Sequence, residues 1–186
     1  MRIAIDIDST LHHYWDEFSH AIREQFGIDL PYEGQTSWGI TRLEIDQIKS
    51  AILYTHSDDV IASAEPYSGA VEIVNGWQAD GHYIHITSHR SVESYDATIR
   101  WLDAIGLRYN DLHCSYDKLS RCRQIDIDLL VDDSPVNLEG ALEMGMTGAT
   151  IIHPWNRELV ASGRVIGARE WPELGVALAP LLHRQT

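Results

Sequence analysis

From Pro66 onward the chain alternates short apolar runs with helical stretches, and this alternation constrains its fold more than any other feature. The sequence predicts helices over Ser68 to Ala79, Ser91 to Ile105, Lys118 to Ile125, Asn137 to Met144 and Pro172 to His183. Between them it predicts strands over His82 to Thr87, Tyr109 to Cys114, Ile127 to Val131, Ala149 to Ile152 and Val165 to Ala168. A further strand opens the chain, where the β-branched run from Arg2 turns acidic at Asp6 and Asp8. Repeated strand–helix units feed parallel strands through right-handed crossovers. The expected result is a mainly parallel sheet with helices on both faces.

Residues 12–65 interrupt the alternation. Trp15, Phe18, Ile22 and Phe26 recur at helical spacing in the stretch Tyr14 to Phe26, and Gly27 follows as a C-cap. A loop rich in Pro, Gly, Gln and Ser covers Leu30 to Trp38. Thr41 with Glu44 reads as a capping box for a second helix ending near Tyr54. The expected organisation is a core of residues 1–11 and 66–186 with a small helical cap, residues 12–65, inserted after the first strand.

In open parallel sheets the ligand sits beyond the carboxyl ends of the strands. Asp6 and Asp8, Thr87 and Ser88, and Asp132 and Asp133 all fall there, with Lys118 shortly before the strand that ends in the Asp pair. Carboxylates gathered in one pocket raise one another's pKa and need compensation. A hard divalent cation supplies it, and magnesium takes oxygen ligands while sharing its remaining sites with water and substrate phosphate. Lys118 offers a second positive charge toward a phosphate. Each group also has a plainer reading: strand-end carboxylates, a Thr87 helix cap, a solvated Lys118, or an Asp-Asp-Ser-Pro turn and N-cap. Ser88, His89 and Arg90 either reach substrate or start a helix. Trp38, in the loop, is the best candidate for stacking on a planar ring, while Trp15 and Phe18 read as core. The His153-Pro154-Trp155-Asn156-Arg157 stretch lines the rim of the site or starts a helix.

The net charge of −14 argues against a nucleic-acid polymer as partner, because such binding rests on Lys and Arg displacing counterions. No apolar run reaches about 18 residues, which argues against a membrane span, and the early Asp6 argues against a signal peptide. A cytoplasmic protein is expected. The two cysteines, Cys114 and Cys122, read as reduced and structural. The ten histidines show no zinc-binding spacing.

Asp6-Ile7-Asp8-Ser9-Thr10 after a strand, Thr87 at a strand end, Lys118, and Asp132-Asp133 after a strand resemble, in order, the signatures of the haloacid dehalogenase superfamily of phosphatases. Ile86-Thr87-Ser88, Tyr116-Asp117-Lys118, Leu129 to Asp133 and Ile152 to Arg157 look most like its 5′(3′)-deoxyribonucleotidase (type C 5′-nucleotidase) group. Ser9 stands where that group often has glycine, and His89 where it has proline. The resemblance implies a three-layer α/β, Rossmann-like sandwich. It implies that Asp6 attacks phosphorus to form an aspartyl-phosphate while Asp8 serves as general acid and base. It also implies magnesium held by Asp6, the Asp8 backbone carbonyl and one of Asp132 and Asp133, with Thr87 and Lys118 contacting the phosphate. The expected substrate is a small phosphorylated molecule: a nucleoside monophosphate, or else a sugar phosphate or similar metabolite. A non-catalytic binding protein that keeps the fold is the reading from another class.

Overall fold

The computed structural model describes residues 1–183. Its six strands form one parallel sheet in the order β3-β2-β1-β4-β5-β6. β1 (Arg2–Ile5) leads into α1 (Tyr14–Phe26), α2 (Ile45–Thr55) and α3 (Asp58–Ser63). The alternating part follows as α4 (Ala70–Ala79), β2 (Tyr83–Ser88), α5 (Tyr95–Ala104), β3 (Asp111–Cys114), α6 (Lys118–Gln124) and β4 (Leu129–Val131). It ends with α7 (Pro135–Glu143), β5 (Thr147–Ile151), α8 (Arg157–Ala161), β6 (Ile166–Ala168) and α9 (Trp171–Leu182).

Strand alternation sorts the helices into two layers. Ile3 and Ile5 of β1, Ile84 and Ile86 of β2, and Leu129 and Val131 of β4 point to one face. There they pack with Val74 and Trp77 of α4, Trp101 of α5, and Trp171, Leu174 and Leu178 of α9. Ala4 and Leu130 point to the other face, against Cys122 of α6 and Ala141 of α7. Both faces are therefore apolar, as a parallel sheet requires. The expected three-layer α/β sandwich is what the chain forms.

The segment between β1 and α4 leaves and rejoins the sheet at one point. Residues His12 and Pro66 bridge, and the Tyr67 amide donates to the Leu11 carbonyl at 2.8 Å. α1 and α2, with Leu43 just ahead of α2, build a separate cluster from Trp15, Phe18, Ile22, Leu43 and Ala51, joined by Trp155. α3 instead packs on α5, with Ile61 in the main core.

Several boundaries differ from the sequence reading for identifiable reasons. α1 runs over the expected residues, and Gly27 closes it with φ 66. α2 starts at Ile45, not Thr41: Glu44 is its N-cap, and the Gln47 side chain accepts from the Glu44 amide at 2.9 Å. The capping box thus exists three residues later than expected, and Leu43 is buried before the helix begins. α7 starts two residues before Asn137, because Ser134 caps it by accepting from the Asn137 amide and Pro135 fits its first turn. α3 and α8 are too short for periodicity to reveal. Cys114 and Cys122 are buried free thiols. No helix among the described residues is long and apolar enough to cross a membrane.

Trp171 ties α9 to the first loop. It is fully buried, packs against Trp77 with ring centroids 5.8 Å apart, and donates from Nε1 to the Thr10 carbonyl at 2.8 Å. Trp171→Ala should lower stability by about 3–5 kcal/mol in urea denaturation. Val176→Ala, on the exposed side of the same helix, should change it by less than about 0.5 kcal/mol.

Candidate active site

The register of the sheet explains why distant residues meet. Ile5 pairs with Ile86 on one side and Val131 on the other. One step further along these aligned strands stand Asp6, Thr87 and Asp132. The Asp6 amide still donates to the Val131 carbonyl at 2.9 Å. Continuing the alternation puts the Asp6 and Asp132 side chains on the face covered by α6. Lys118, the first residue of α6, is held there by the Asp117 N-cap, which accepts from the Ser120 amide. Its Nζ lies 2.7 Å from Asp6 Oδ1 and 2.6 Å from Asp132 Oδ2.

Asp6, Asp132 and Asp133 are buried and can bring one oxygen each within 4.8 Å of the others. Burial, only partly opposed by Lys118 and reinforced by Asp132 and Asp8, pushes the Asp6 carboxyl up to about 7. Burial, with Asp6 and Asp132 nearby, holds Asp133 well above the usual carboxylate range. Burial disfavours the Lys118 ammonium, but Asp132 and Asp6 outweigh it and raise its pKa. One ammonium does not compensate these carboxylates. The all-oxygen, buried donor set fits a hard divalent cation.

The two members of the Asp pair are held differently. Asp132 accepts from Lys118, from the Ser134 amide at 2.9 Å and from Asn137 Nδ2 at 3.1 and 3.3 Å. Asp133 accepts at Oδ2 from Trp155 Nε1 at 3.2 Å, and its carbonyl accepts from Asn156 Nδ2 at 3.1 Å. Asn156 also donates to Thr150 Oγ1 and the Ile151 carbonyl, so it pins the end of β5 to the Asp133 loop.

Asp8 points into a different environment. Arg90 donates to its Oδ1 from Nη2 at 2.8 Å and from Nε at 3.2 Å, and His12 Nε2 lies 2.9 Å from the same oxygen. His56 Nε2 approaches Oδ2 at 3.5 Å. Burial acts to raise the Asp8 pKa, but the Arg90 guanidinium and the two histidines outweigh it and hold the carboxyl well below its usual range.

Ser9 adopts φ 58, a left-handed conformation that favours glycine. His153 Nε2 donates to the Ser9 carbonyl at 2.7 Å, and its Nδ1 accepts from the Tyr32 hydroxyl at 2.7 Å. Burial lowers the His153 pKa to about 4, so the ring is neutral and this tautomer consistent. A serine is therefore kept in the turn by a buried imidazole.

Asp6, Asp8, Lys118 and Asp133 line one pocket with Tyr14, Trp38, His56, His89, Tyr116 and Asn137. It adjoins a mainly apolar hollow lined by Trp15, Phe18, Trp38, Ile40, Ile48 and Trp155; Ser9, Tyr14, Trp38, Ile52 and Asp133 border both. Trp15 and Phe18 are core residues, as expected, and also wall this hollow. Thr87 and Ser88 are fully buried and do not line either. Thr87 Oγ1 has no hydrogen-bond partner among the described residues, whereas Ser88 Oγ accepts from the Arg90 amide at 3.2 Å. The sequence reading missed His12, His56, Asn137 and the anchoring roles of His153, Trp155 and Asn156. The rim reading of His153 to Arg157 places that stretch near the site without its anchoring contacts, and for His12 the only hint is its spacing of four residues from Asp8.

The fold is widely shared. A haloacid dehalogenase-like family hydrolase from Streptococcus pneumoniae superposes with a TM-score of 0.69 at 14% identity, covering 99% of this chain and 98% of that one. A haloacid dehalogenase family hydrolase from Deinococcus radiodurans, solved with bound phosphate and sodium, gives 0.68 at 15% identity over 96% and 95% of the two chains. A Bacillus cereus protein described as a "putative nucleotidase" is 23% identical over 190 residues, 94% of this chain and 96% of its own length. The model of the family "5′ nucleotidase, deoxy (pyrimidine), cytosolic type C protein" matches residues 1–176. The chain belongs to that family, and it is a hydrolase of the phosphatase kind on the haloacid dehalogenase fold.

Proposed function

We propose that this protein is a magnesium-dependent phosphomonoesterase that acts through an aspartyl-phosphate on Asp6, with (deoxy)nucleoside 5′-monophosphates as its substrates. The observation that carries this reading is a single cavity system. A buried carboxylate–lysine cluster occupies one end, and an aromatic hollow adjoins it across Trp38. A phosphate and a planar base need those two environments side by side.

In this reading an Asp6 carboxylate oxygen attacks phosphorus and the bond to the ester oxygen breaks. Asp8, ionised in the free enzyme, takes a proton from the phosphate monoanion as it binds, gives it to that oxygen, then takes one from the water that cleaves the aspartyl-phosphate. Lys118 binds phosphate oxygens from the pocket wall, and the partnerless Thr87 hydroxyl, buried behind that wall, donates to one of them once the bound phosphate displaces it. Magnesium, bound by Asp6, the Asp8 carbonyl and Asp133, would supply Lewis-acid stabilisation of the charge between carboxylate and phosphate. Asp133 suits direct ligation because it lines the pocket, whereas Asp132 is engaged by Lys118, Ser134 and Asn137 and serves to orient the lysine. Residues 12–65 act as the cap, with α1, α2 and their connecting loop over the site and α3 seated on the core.

Phosphate release from nucleoside monophosphates should require magnesium and vanish in Asp6→Asn, with the variant's melting temperature at or above that of wild type. Retained turnover in a folded Asp6→Asn protein would sink the aspartyl-phosphate. Trp38→Ala should raise KM for nucleoside monophosphates about tenfold, in line with about 1–3 kcal/mol per stacked base, and leave KM for ribose 5-phosphate nearly unchanged. Equal effects on both substrates would discard Trp38 as the base-stacking residue.

The carboxylate cluster also predicts a pH dependence of metal-linked stability. The ordinary pKa of Asp6 is 3.8 and its folded value is about 7. Between these the metal-free folded state holds a proton that the unfolded chain has released, so stability from this group falls as pH rises through the window. Magnesium binds the ionised form. Its stabilisation over chelator, read by thermal denaturation, should therefore be larger near about pH 7.5 than near about pH 5. An equal shift at both, or none, would count against the cluster as the metal site.

A further inference from the structure

Arg90 carries a cost that ordinary packing does not explain. It is 1% exposed, beneath the end of β2, and a buried guanidinium is held only where its donors are used. Its donors are spent on few partners. Nη2 and Nε converge on Asp8 Oδ1, Nη2 also lies 3.2 Å from His12 Nε2, Nη1 reaches Thr98 Oγ1 at 3.3 Å, and the guanidinium lies 5.6 Å from the Trp101 ring centroid. Thr98 in turn donates to the Ser94 carbonyl at 2.8 Å, which anchors the arrangement on α5. Thus an arginine of the core grips a carboxylate of the first loop across 82 residues of sequence.

The grip is asymmetric between the two oxygens. Oδ1 receives two donors from Arg90 and lies 2.9 Å from His12 Nε2. Oδ2 has only a long contact of 3.4 Å from Arg90 Nε, and His56 stands 3.5 Å away without forming a hydrogen bond. His56 and Asp8 both line the pocket that holds Asp6 and Lys118. One oxygen is saturated, and the other remains available.

We propose that Arg90 is a positioning residue for Asp8: with His12 it saturates Oδ1, fixes the plane of the carboxylate, and leaves Oδ2 as the oxygen that exchanges the proton with the leaving group and then with water. The inference rests on the phosphatase reading of Asp6 and Asp8. The proton balance is unchanged by it. Asp8 gives a proton at Oδ2 to the departing ester oxygen and recovers one at Oδ2 from the attacking water. Arg90 exchanges none. The fork matters more than the charge, because a lysine offers no planar pair of donors to one carboxylate oxygen.

The test uses the leaving group. An aliphatic phosphomonoester needs its departing oxygen protonated, whereas p-nitrophenyl phosphate releases p-nitrophenolate, a stable anion. The value of kcat/KM reports the steps through that departure, so the comparison isolates proton delivery from hydrolysis of the intermediate. Wild type, Arg90→Gln, Arg90→Lys and Thr98→Val are compared on p-nitrophenyl phosphate and on the nucleoside or sugar monophosphate that wild type turns over fastest. In Arg90→Gln, kcat/KM on the aliphatic ester should fall by about 10–100-fold, within what a misplaced general acid loses. It should fall less than about threefold on the aryl ester. Arg90→Lys should lie between wild type and Arg90→Gln. Thr98→Val, which loosens Arg90 without touching Asp8, should show the same selectivity at smaller size and decides the matter if the Arg90 variants do not fold. Equal losses on both esters, no loss, or a gain on the aliphatic ester would overturn the proposal. Asp6→Asn separates the two levels: turnover surviving there refutes the phosphatase reading itself, whereas loss there with an unselective Arg90→Gln refutes only the role of Arg90.

Discussion

The structure depends on the crowding of carboxylates at the carboxyl edge of β1 and β4. At about 4.8 Å and an effective dielectric constant of about 20, two carboxylates repel by about 3–4 kcal/mol, and here Asp6, Asp132 and Asp133 share one buried space. Lys118 offsets part of that repulsion through contacts of 2.7 and 2.6 Å. The rest is met by raising the pKa of Asp6 and Asp133, or by a cation. The surrounding elements serve this arrangement. α6 delivers the ammonium, α7 contributes Ser134 and Asn137 to Asp132, and the turn after β5 contributes Trp155 and Asn156 to Asp133.

Legibility in the sequence followed the range of the interactions concerned. Strand–helix alternation and strand-end residues are local, so the sheet, its layers and the meeting of Asp6, Lys118 and the Asp pair could all be anticipated. The strand order 3-2-1-4-5-6 places the break in chain direction between β1 and β4, where parallel sheets bind ligands. Illegible were contacts whose partners share no local pattern. Nothing near His153 indicates that it holds the Ser9 carbonyl 144 residues away, and nothing near Asn156 reveals its three acceptors. The start of α2 slipped for another reason. Thr41-x-x-Glu44 carries the capping-box signature, whereas the box that forms has Glu44 at the N-cap, a residue outside that signature, and Leu43 is buried just ahead of it.

Ser9 shows how a local cost is absorbed by the wider structure. A non-glycine residue in the left-handed region is disfavoured by about 1–2 kcal/mol, and the strain sits beside the pocket-lining carboxylates. The His153–Ser9 hydrogen bond, continued to Tyr32, fixes the loop from outside. Tyr32 lies between α1 and α2, so the same imidazole joins that segment to the loop that carries Asp8 and Ser9.

The segment between β1 and α4 thereby touches the first loop from two sides. His153 links Ser9 to Tyr32, and Asp8 is approached by His12 where the segment begins and by His56 where α2 ends. Arg90 opposes these from the core side and is buried, so it cannot follow a movement of α1 and α2 without breaking its bond to Thr98. Asp8 is therefore held by Arg90, anchored on α5, and by His12 at the start of the inserted segment, with His56 standing beside its second oxygen. A carboxylate placed in that way has its orientation determined by the relation between the two parts of the chain, not by its own loop alone.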